Sequence, residues 1–545
     1  MPNQFDYIIV GAGAAGCVLA NRLSADPASS VLLLEAGPPD RKLEIHLPAA
    51  ATKLFKTRYD WDDATTTQPG LAGRQLYWPR GRTLGGSTAI NFQIYVRGHP
   101  ADFDRWAELG NPGWDFEQVL PYFLRLEGCA LGDPRLRGRH GPLRIASLRD
   151  PNPMSRAFVQ AAVEVGLPAN PDVNGAEQDG VALSQVTQRR GRRWSAADAY
   201  LRPARRRRSL TVRTSTRATR ILVEHGRAVG VEYLDPAGGG RGLVRAEAAR
   251  EVILAGGAVS SPHLLLVSGI GPVETLHRVG VRVVHALPGV GGNLQDHPVV
   301  WVVARTPRPL SLTAAESPAN LARWLLLRRG MLTSNGGEAC AFARSDPALP
   351  APDLELVFVP GPYIDHLLQR PAWHGLAVGA AALQPHSRGR ITLASADPLT
   401  PPLIDPGYLT DPKGQDLATL ARGVELARRI LGTPALAGLV GELVEPPPGV
   451  RDETAVAAFI RQQTETLYHP VGTCRMGQDE LAVVDPELRV RGLDGLRVVD
   501  ASVMPTIVRG HTSAATMMVA ERAADLICGL PRLANGFASS GRGRR

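Results

Sequence analysis

The start of the chain constrains the fold most. Asp6-Tyr7-Ile8-Ile9-Val10 is an apolar strand, and Gly11-Ala12-Gly13-Ala14-Ala15-Gly16 follows it directly. A helix and a second apolar strand, Val31–Leu34, come next, and Glu35 closes the unit 19 residues after Gly16. Each glycine has its own task. Gly11 permits a tight turn, Gly13 lets the backbone approach a pyrophosphate, and Gly16 lets the helix lie close on the strand. The helix N-terminus then offers free N–H groups to phosphate oxygens. Glu35 is placed to accept hydrogen bonds from an adenosine ribose. The pattern reads as a Rossmann-type site for an ADP-containing dinucleotide and leaves NAD and FAD both open.

The rest of the chain is far longer than this unit. A length of 545 residues implies two or more domains. Apolar content of 44% and charged content of 21% fit a globular protein. The formal charge of +9 includes the run Arg205-Arg206-Arg207-Arg208, which no aromatic or nucleic-acid signature accompanies. It reads as a solvated face, with no nucleic-acid partner expected. The five cysteines are scattered and contain no C-x-x-C pair, so reduced thiols are expected in place of a disulfide frame or zinc site. The first strand begins too early to leave room for a signal peptide, and no apolar run of about 18 residues is present. These features point to a cytoplasmic protein, with peripheral attachment at the inner membrane left open.

A fold of class α/β is expected, α+β overall. A Rossmann-type domain would be assembled from residues 1–150, 201–300 and 465–532, with an antiparallel-sheet substrate domain inserted as 151–200 and 301–464. Strands are read at Leu210–Val212, Arg220–Val223, Ala228–Tyr233, Glu251–Ala258, Leu354–Pro360, Leu376–Gln384, Arg390–Ala394 and Leu496–Ala501. Helices are read at Asp102–Leu109, Ser155–Val165, Gln415–Leu431 and Thr512–Ile527. A further helix is expected to begin at Ser261-Pro262, because proline suits an early helical position. The Gly/Ser/Arg-rich tail, 533–545, is expected to be disordered.

Two histidines could carry chemistry. His469 precedes a proline and a small-residue loop, and His511 stands at the head of the last helix. A neutral imidazole is available as a base near neutral pH. Spacing alone also allows a core histidine and a helix cap. Asp296-His297 reads as a structural turn. No metal-ligand spacing and no G-x-S-x-G elbow is present.

With Gly81–Asn91, Gly257–Gly271, His469–Thr473 and Val498–Pro505 in view, the sequence resembles the glucose–methanol–choline oxidoreductases over nearly its whole length. Within that family it is most similar to choline dehydrogenase-like and aliphatic alcohol dehydrogenases. The resemblance implies FAD. It implies that Gly11, Gly13, Gly16 and Glu35 hold the ADP half, and that Arg80, Thr83, Gly86, Ser87 and Asn91 line the pyrophosphate and flavin. Ala218 would lie at the adenine, Asp500 and Ala501 at the ribityl chain, and Thr512 at the flavin edge. His469 matches the family's base and His511 its partner position. Ile90 stands where some members link FAD covalently through histidine, which implies non-covalent binding. Glu338 matches a glutamate that meets the cationic head of choline in some relatives.

The function implied is oxidation of an alcohol by hydride transfer to flavin, with electrons passed to a quinone or another carrier. An oxidase using O₂ is the first alternative. A non-redox member, such as a hydroxynitrile lyase or photodecarboxylase, is the second.

Overall fold

The computed structural model describes residues 4–235 and 242–533. The tail expected from 533 onward lies, Leu533 apart, outside the described residues.

The opening motif folds as a strand–turn–helix. Strand β1 (Gln4–Val10) ends at Gly11, and helix α1 (Ala14–Leu23) returns the chain to β2 (Val31–Leu34). Four further strands come from the middle of the chain: β3 (Leu210–Arg213), β4 (Arg217–Glu224), β5 (Arg227–Leu234) and β6 (Leu243–Leu254). Near the C-terminus β7 (Leu496–Val498) completes the sheet. The strand order is β3-β2-β1-β6-β5-β4, with β7 paired to β6. The pairs β3/β2, β2/β1, β1/β6 and β6/β7 are parallel. Parallel strands with both faces covered explain why β1, β2 and the end of β6 are almost continuously apolar. The chain order reverses at β1, and a doubly wound sheet opens its crevice at such a point.

Helix α2 (Gly257–Val267) follows β6, and α3 (Thr512–Ile527) packs on α1. The start of α2 differs from the sequence expectation, since Pro262 lies inside it. Proline removes the N–H that would bond the Ala258 carbonyl four residues back. The Thr473 hydroxyl donates to that carbonyl at 2.7 Å instead. Asp500 caps the helix from outside, accepting from the Gly257 N–H at 2.8 Å and the Ser261 hydroxyl at 2.6 Å. Both supports come from more than 200 residues away in sequence.

The second sheet is antiparallel throughout. Its order is Leu443–Glu445, Pro298–Arg305, Gly375–Ala382, Leu354–Val359, Ala339–Ala343 and Gly180–Leu183. Glu465–Thr466, expected with the cofactor domain, also pairs with Pro298–Arg305. Side chains alternate along each strand. Val300, Val302, Leu356 and Phe358 pack with helices Pro153–Glu164 and Gln415–Leu431. Val299, Trp301, Val303, Val357 and Val359 face the other way. The expected strand at 390–394 is a short piece, Arg390–Thr392, paired only with Leu403–Asp405.

Of the arginine run, Arg205, Arg206 and Arg208 are exposed. Arg207 donates to the Asn21 carbonyl and to Ser24 Oγ near the end of α1, where a cation suits the helix dipole. The five cysteines are free, and only Cys528 is exposed. Among the described residues no helix is long and apolar enough to cross a membrane.

Candidate active site

A cleft of about 400 Å³ runs from the glycine turn after β1 to the head of α3. It is lined at one end by Gly11, Gly13, Glu35 and Ala218, along its length by Arg80, Gly86, Ser87, Asn91, Asp500 and Ala501, and at the far end by His469, His511 and Thr512. Thus residues scattered over some 500 positions meet in one cavity.

The glycine end is built by close backbone contact. Gly11 has φ +103°, and a Cβ there would meet the Ala255 carbonyl oxygen at 2.5 Å. A Cβ on Gly16 would stand 1.8 Å from the Gly11 carbonyl oxygen, so Gly16 sits behind the cleft and lets α1 touch the turn. Gly86 has φ +51°, and its Cβ would meet Gly13 Cα at 2.7 Å. Glu35 is buried and accepts from Ala12 N–H at 2.9 Å and Gly37 N–H at 2.7 Å. Burial pushes its carboxyl up to about 7 against the pull of those N–H groups and Arg82. Thr83 does not line the cleft; its hydroxyl donates to the Pro38 carbonyl and braces the loop.

These residues fit an FAD-sized dinucleotide. Helix α1 opens at Gly13 and α3 at His511, and neither has a side-chain cap. Both N-termini therefore present N–H groups and a positive dipole end to the cavity. Between them nothing lies within 4 Å of a Cβ built on Gly257, so its backbone opens directly onto the cleft.

The histidine end is ordered by a hydrogen-bond chain. His297, expected in a turn, is fully buried just before strand Pro298–Arg305. Its Nε2 lies 3.1 Å from the Leu383 carbonyl oxygen, which can only accept, so Nε2 carries the proton. Burial, and then the charge of His511, outweigh the pull of Glu355 and hold His297 near pKa 4, so the ring is neutral and Nδ1 is an acceptor. His469 Nδ1 is 3.0 Å away and must donate to it. The lone pair of His469 is thereby placed on Nε2. Burial first, then His511, His297 and Arg80, hold His469 well below the ordinary histidine range. At neutral pH it is an uncharged base.

The backbone around His469 is fixed from below. Asp296 accepts from the His469 N–H at 2.7 Å and from the Thr466 hydroxyl at 2.5 Å, and Tyr408 also donates to it. Tyr468 is left-handed, with φ +69°. Its hydroxyl bonds Tyr363 at 2.6 Å and His366 Nδ1 at 2.8 Å. Such backbone costs about 1–3 kcal/mol and persists where surrounding contacts enforce it. Arg80 donates to the Tyr468 carbonyl at 2.7 Å.

His511 stacks edge-on to His469, with ring centroids 4.7 Å apart. Its Nε2 lies 3.0 Å from Glu355 Oε1. Burial alone would raise the Glu355 carboxyl, but the charge and hydrogen bond of His511 outweigh it and hold it below the usual range. Cys340, Glu355 and His511 bring ligand-type atoms within 4.8 Å of one another, a cluster that sequence spacing does not show. The signal for Glu355 was present: it is the one acid at an inward position of the apolar strand Leu354–Val359.

Glu338 is corrected. It does not line the cleft. Its carboxylate accepts from Asn152 N–H at 2.7 Å and the Ser155 hydroxyl at 2.8 Å, bracing helix Pro153–Glu164. The cavity wall beside the histidines is apolar and aromatic, formed by Phe92, Trp301, Val357, Val359 and Tyr363. Trp301 and Tyr363 stack at 3.8 Å.

A dinucleotide cleft ending in a paired-histidine site is the arrangement of an oxidoreductase. The GMC oxidoreductase profile matches residues 5–299 and again 385–520, and the chain belongs to that family. It is 43% identical to the alcohol dehydrogenase [acceptor] of Pseudomonas putida, with 96% of each chain covered. It is equally identical to the mitochondrial choline dehydrogenase of Homo sapiens, covering 97% of this chain and 91% of that one. Among solved structures, the pyridoxine 4-oxidase of Mesorbium loti superposes with a TM-score of 0.87 at 34% identity, covering 95% and 98%. The family indicates FAD as the cofactor and alcohol-like compounds as substrates.

Proposed function

We propose that the chain oxidises a primary or secondary alcohol with an apolar body to the aldehyde or ketone, with electrons leaving to a quinone or another carrier. The observation that carries this reading is the 3.0 Å contact of His469 Nδ1 with His297 Nδ1, whose Nε2 is tied to the Leu383 carbonyl, because it leaves the lone pair of His469 on Nε2 inside the cleft. Bound FAD supplies the two-electron acceptor for the carbinol hydrogen. Gly11, Gly13, Glu35, Arg80, Ser87, Asn91 and Asp500 are the residues that would hold it. His469 Nε2 accepts the hydroxyl proton, and His469 Nδ1–H stays on His297. His511, fixed by Glu355, orients the substrate oxygen. The wall of Trp301, Val357 and Tyr363 holds the carbon body and excludes water. Ile90, in the position before Asn91, offers no nucleophile, and the cofactor is held without a covalent bond.

The test is anaerobic mixing of the FAD-loaded protein with linear, aromatic and polyol alcohols and choline. Bleaching of the flavin band by an alcohol with an apolar body supports the reading. No bleaching across the panel sinks it. Reoxidation by a quinone analogue is expected to outpace reoxidation in air-saturated buffer; the reverse order would make the protein an oxidase. Acid precipitation should leave the flavin in the supernatant.

A further inference from the structure

The helix Pro318–Leu327 is built unlike the others. Only Trp324 of its ten residues is buried. Of the thirteen large hydrophobic side chains described as exposed, four are on this helix: Leu321, Leu325, Leu326 and Leu327. Leu326 is 82% exposed and Leu327 61%. At 3.6 residues per turn, Leu321, Ala322, Leu325 and Leu326 share an arc of about 140° that faces away from the protein. The helix is nevertheless firmly seated. Trp324 Nε1–H donates to the Gly191 carbonyl at 2.8 Å, and the Arg328 guanidinium lies over the Trp324 ring at 4.0 Å.

That bond joins the helix to a hairpin, Gln188–Arg193, with Arg189 and Arg190 exposed at its tip. The hairpin carries Arg189, Arg190 and Arg192 and meets the helix at its C-terminal end beside Arg328, while the helix and its end add Arg323, Arg328 and Arg329, with no acid in either segment. Burial and the like charge of Arg192 hold the Arg328 guanidinium below its ordinary range. Arg329 pairs with Asp150 at 2.9 Å, and Glu316, just before the helix, is shared by Lys53 and Arg370. The charge around the leucines is strongly positive after these pairs are counted.

We infer that the Leu-rich helix Pro318–Leu327 and the adjoining arginine hairpin form a docking surface for an anionic lipid bilayer. Exposed leucines that enter the acyl boundary, ringed by arginines at the phosphate level, are the combination that interfacial helices use. A second copy of the chain fits less well, because a two-fold contact would set these arginine clusters against each other. Arg370, which reaches Glu316 beside the helix, lies three residues after Leu367 in the cleft wall. Docking here would hold that wall of the cavity near the lipid.

The test is co-sedimentation of the FAD-loaded full chain with vesicles of phosphatidylcholine alone, and with about one-third phosphatidylglycerol added. Binding to the anionic vesicles is expected, falling as salt is raised. Arg190→Glu and Arg323→Glu each change the charge by two units and should each weaken it about 30-fold, about fivefold per unit. Leu326→Asp with Leu327→Asp should abolish it, while flavin absorbance and the thermal midpoint stay at the parent values. Equal binding to both vesicles, no binding, or variants that bind like the parent would overturn the inference. It is also overturned if the leucine variants convert a lipid-free dimer to monomer in sedimentation velocity, because the helix would then be covered by a second copy.

Discussion

Replacing His297 by leucine removes the acceptor that sets the His469 tautomer. In the parent, His297 Nε2–H is tied to the Leu383 carbonyl, and its Nδ1 receives the His469 Nδ1–H at 3.0 Å. Leucine fills similar space and cannot accept. His469 is then left with a buried donor facing a hydrocarbon, which costs about 1–3 kcal/mol. The ring can escape by moving its proton to Nε2, which abolishes the base. Either way, about 1–3 kcal/mol is lost from the reactive state, or about 5- to 150-fold in kcat/KM at 1.36 kcal/mol per tenfold. His297→Asn keeps an oxygen near the Nδ1 position and should recover most of that loss. The assay is the rate of anaerobic flavin reduction against alcohol concentration, with FAD content measured for each variant. A leucine variant within twofold of the parent would refute the tautomer argument. Equal losses in the leucine and asparagine variants would also refute it, since packing alone would then explain them.

Two further substitutions probe the cofactor end. Gly86→Ala forces a Cβ to 2.7 Å from Gly13 Cα in a left-handed backbone; the strain and overpacking together cost about 2–5 kcal/mol. The variant should lose FAD on gel filtration and melt earlier, and parent-like FAD retention would contradict the close-approach account. Asp500→Ala leaves Gly257 N–H, the Ser261 hydroxyl and both Ser502 donors without their acceptor. At about 1–3 kcal/mol for each buried donor left unmade, apparent thermal stability and FAD retention should both fall, with Asp500→Asn intermediate.

The glycine turn, helix Gln415–Leu431 and helix Thr512–Ile527 were legible because local periodicity and end signals decide them. The early start of α2 was not, because its cap is Asp500 and its proline is tolerated through Thr473. Local rules see neither. His469 and His511 stood out through their motifs. His297 did not, because an Asp-His pair after a glycine turn has no local mark of a buried relay. Glu355 lay within a strand that reads as core, and only its inward position in the alternation sets it apart. Glu338 was assigned toward substrate by resemblance. Its true partners, Asn152 and Ser155, are more than 180 residues away and come into contact only once the helix packs on the second sheet.

The most direct test of the account is the single-turnover rate of flavin reduction by an alcohol substrate, without oxygen, in the parent and in His469→Ala. General-base catalysis by a positioned side chain is worth about 10²–10⁴ in rate. The account predicts a loss of that size in the alanine variant with FAD still bound. A variant that retains FAD and reduces it at the parent rate would show that the proton leaves by another route and that His469 is not the base.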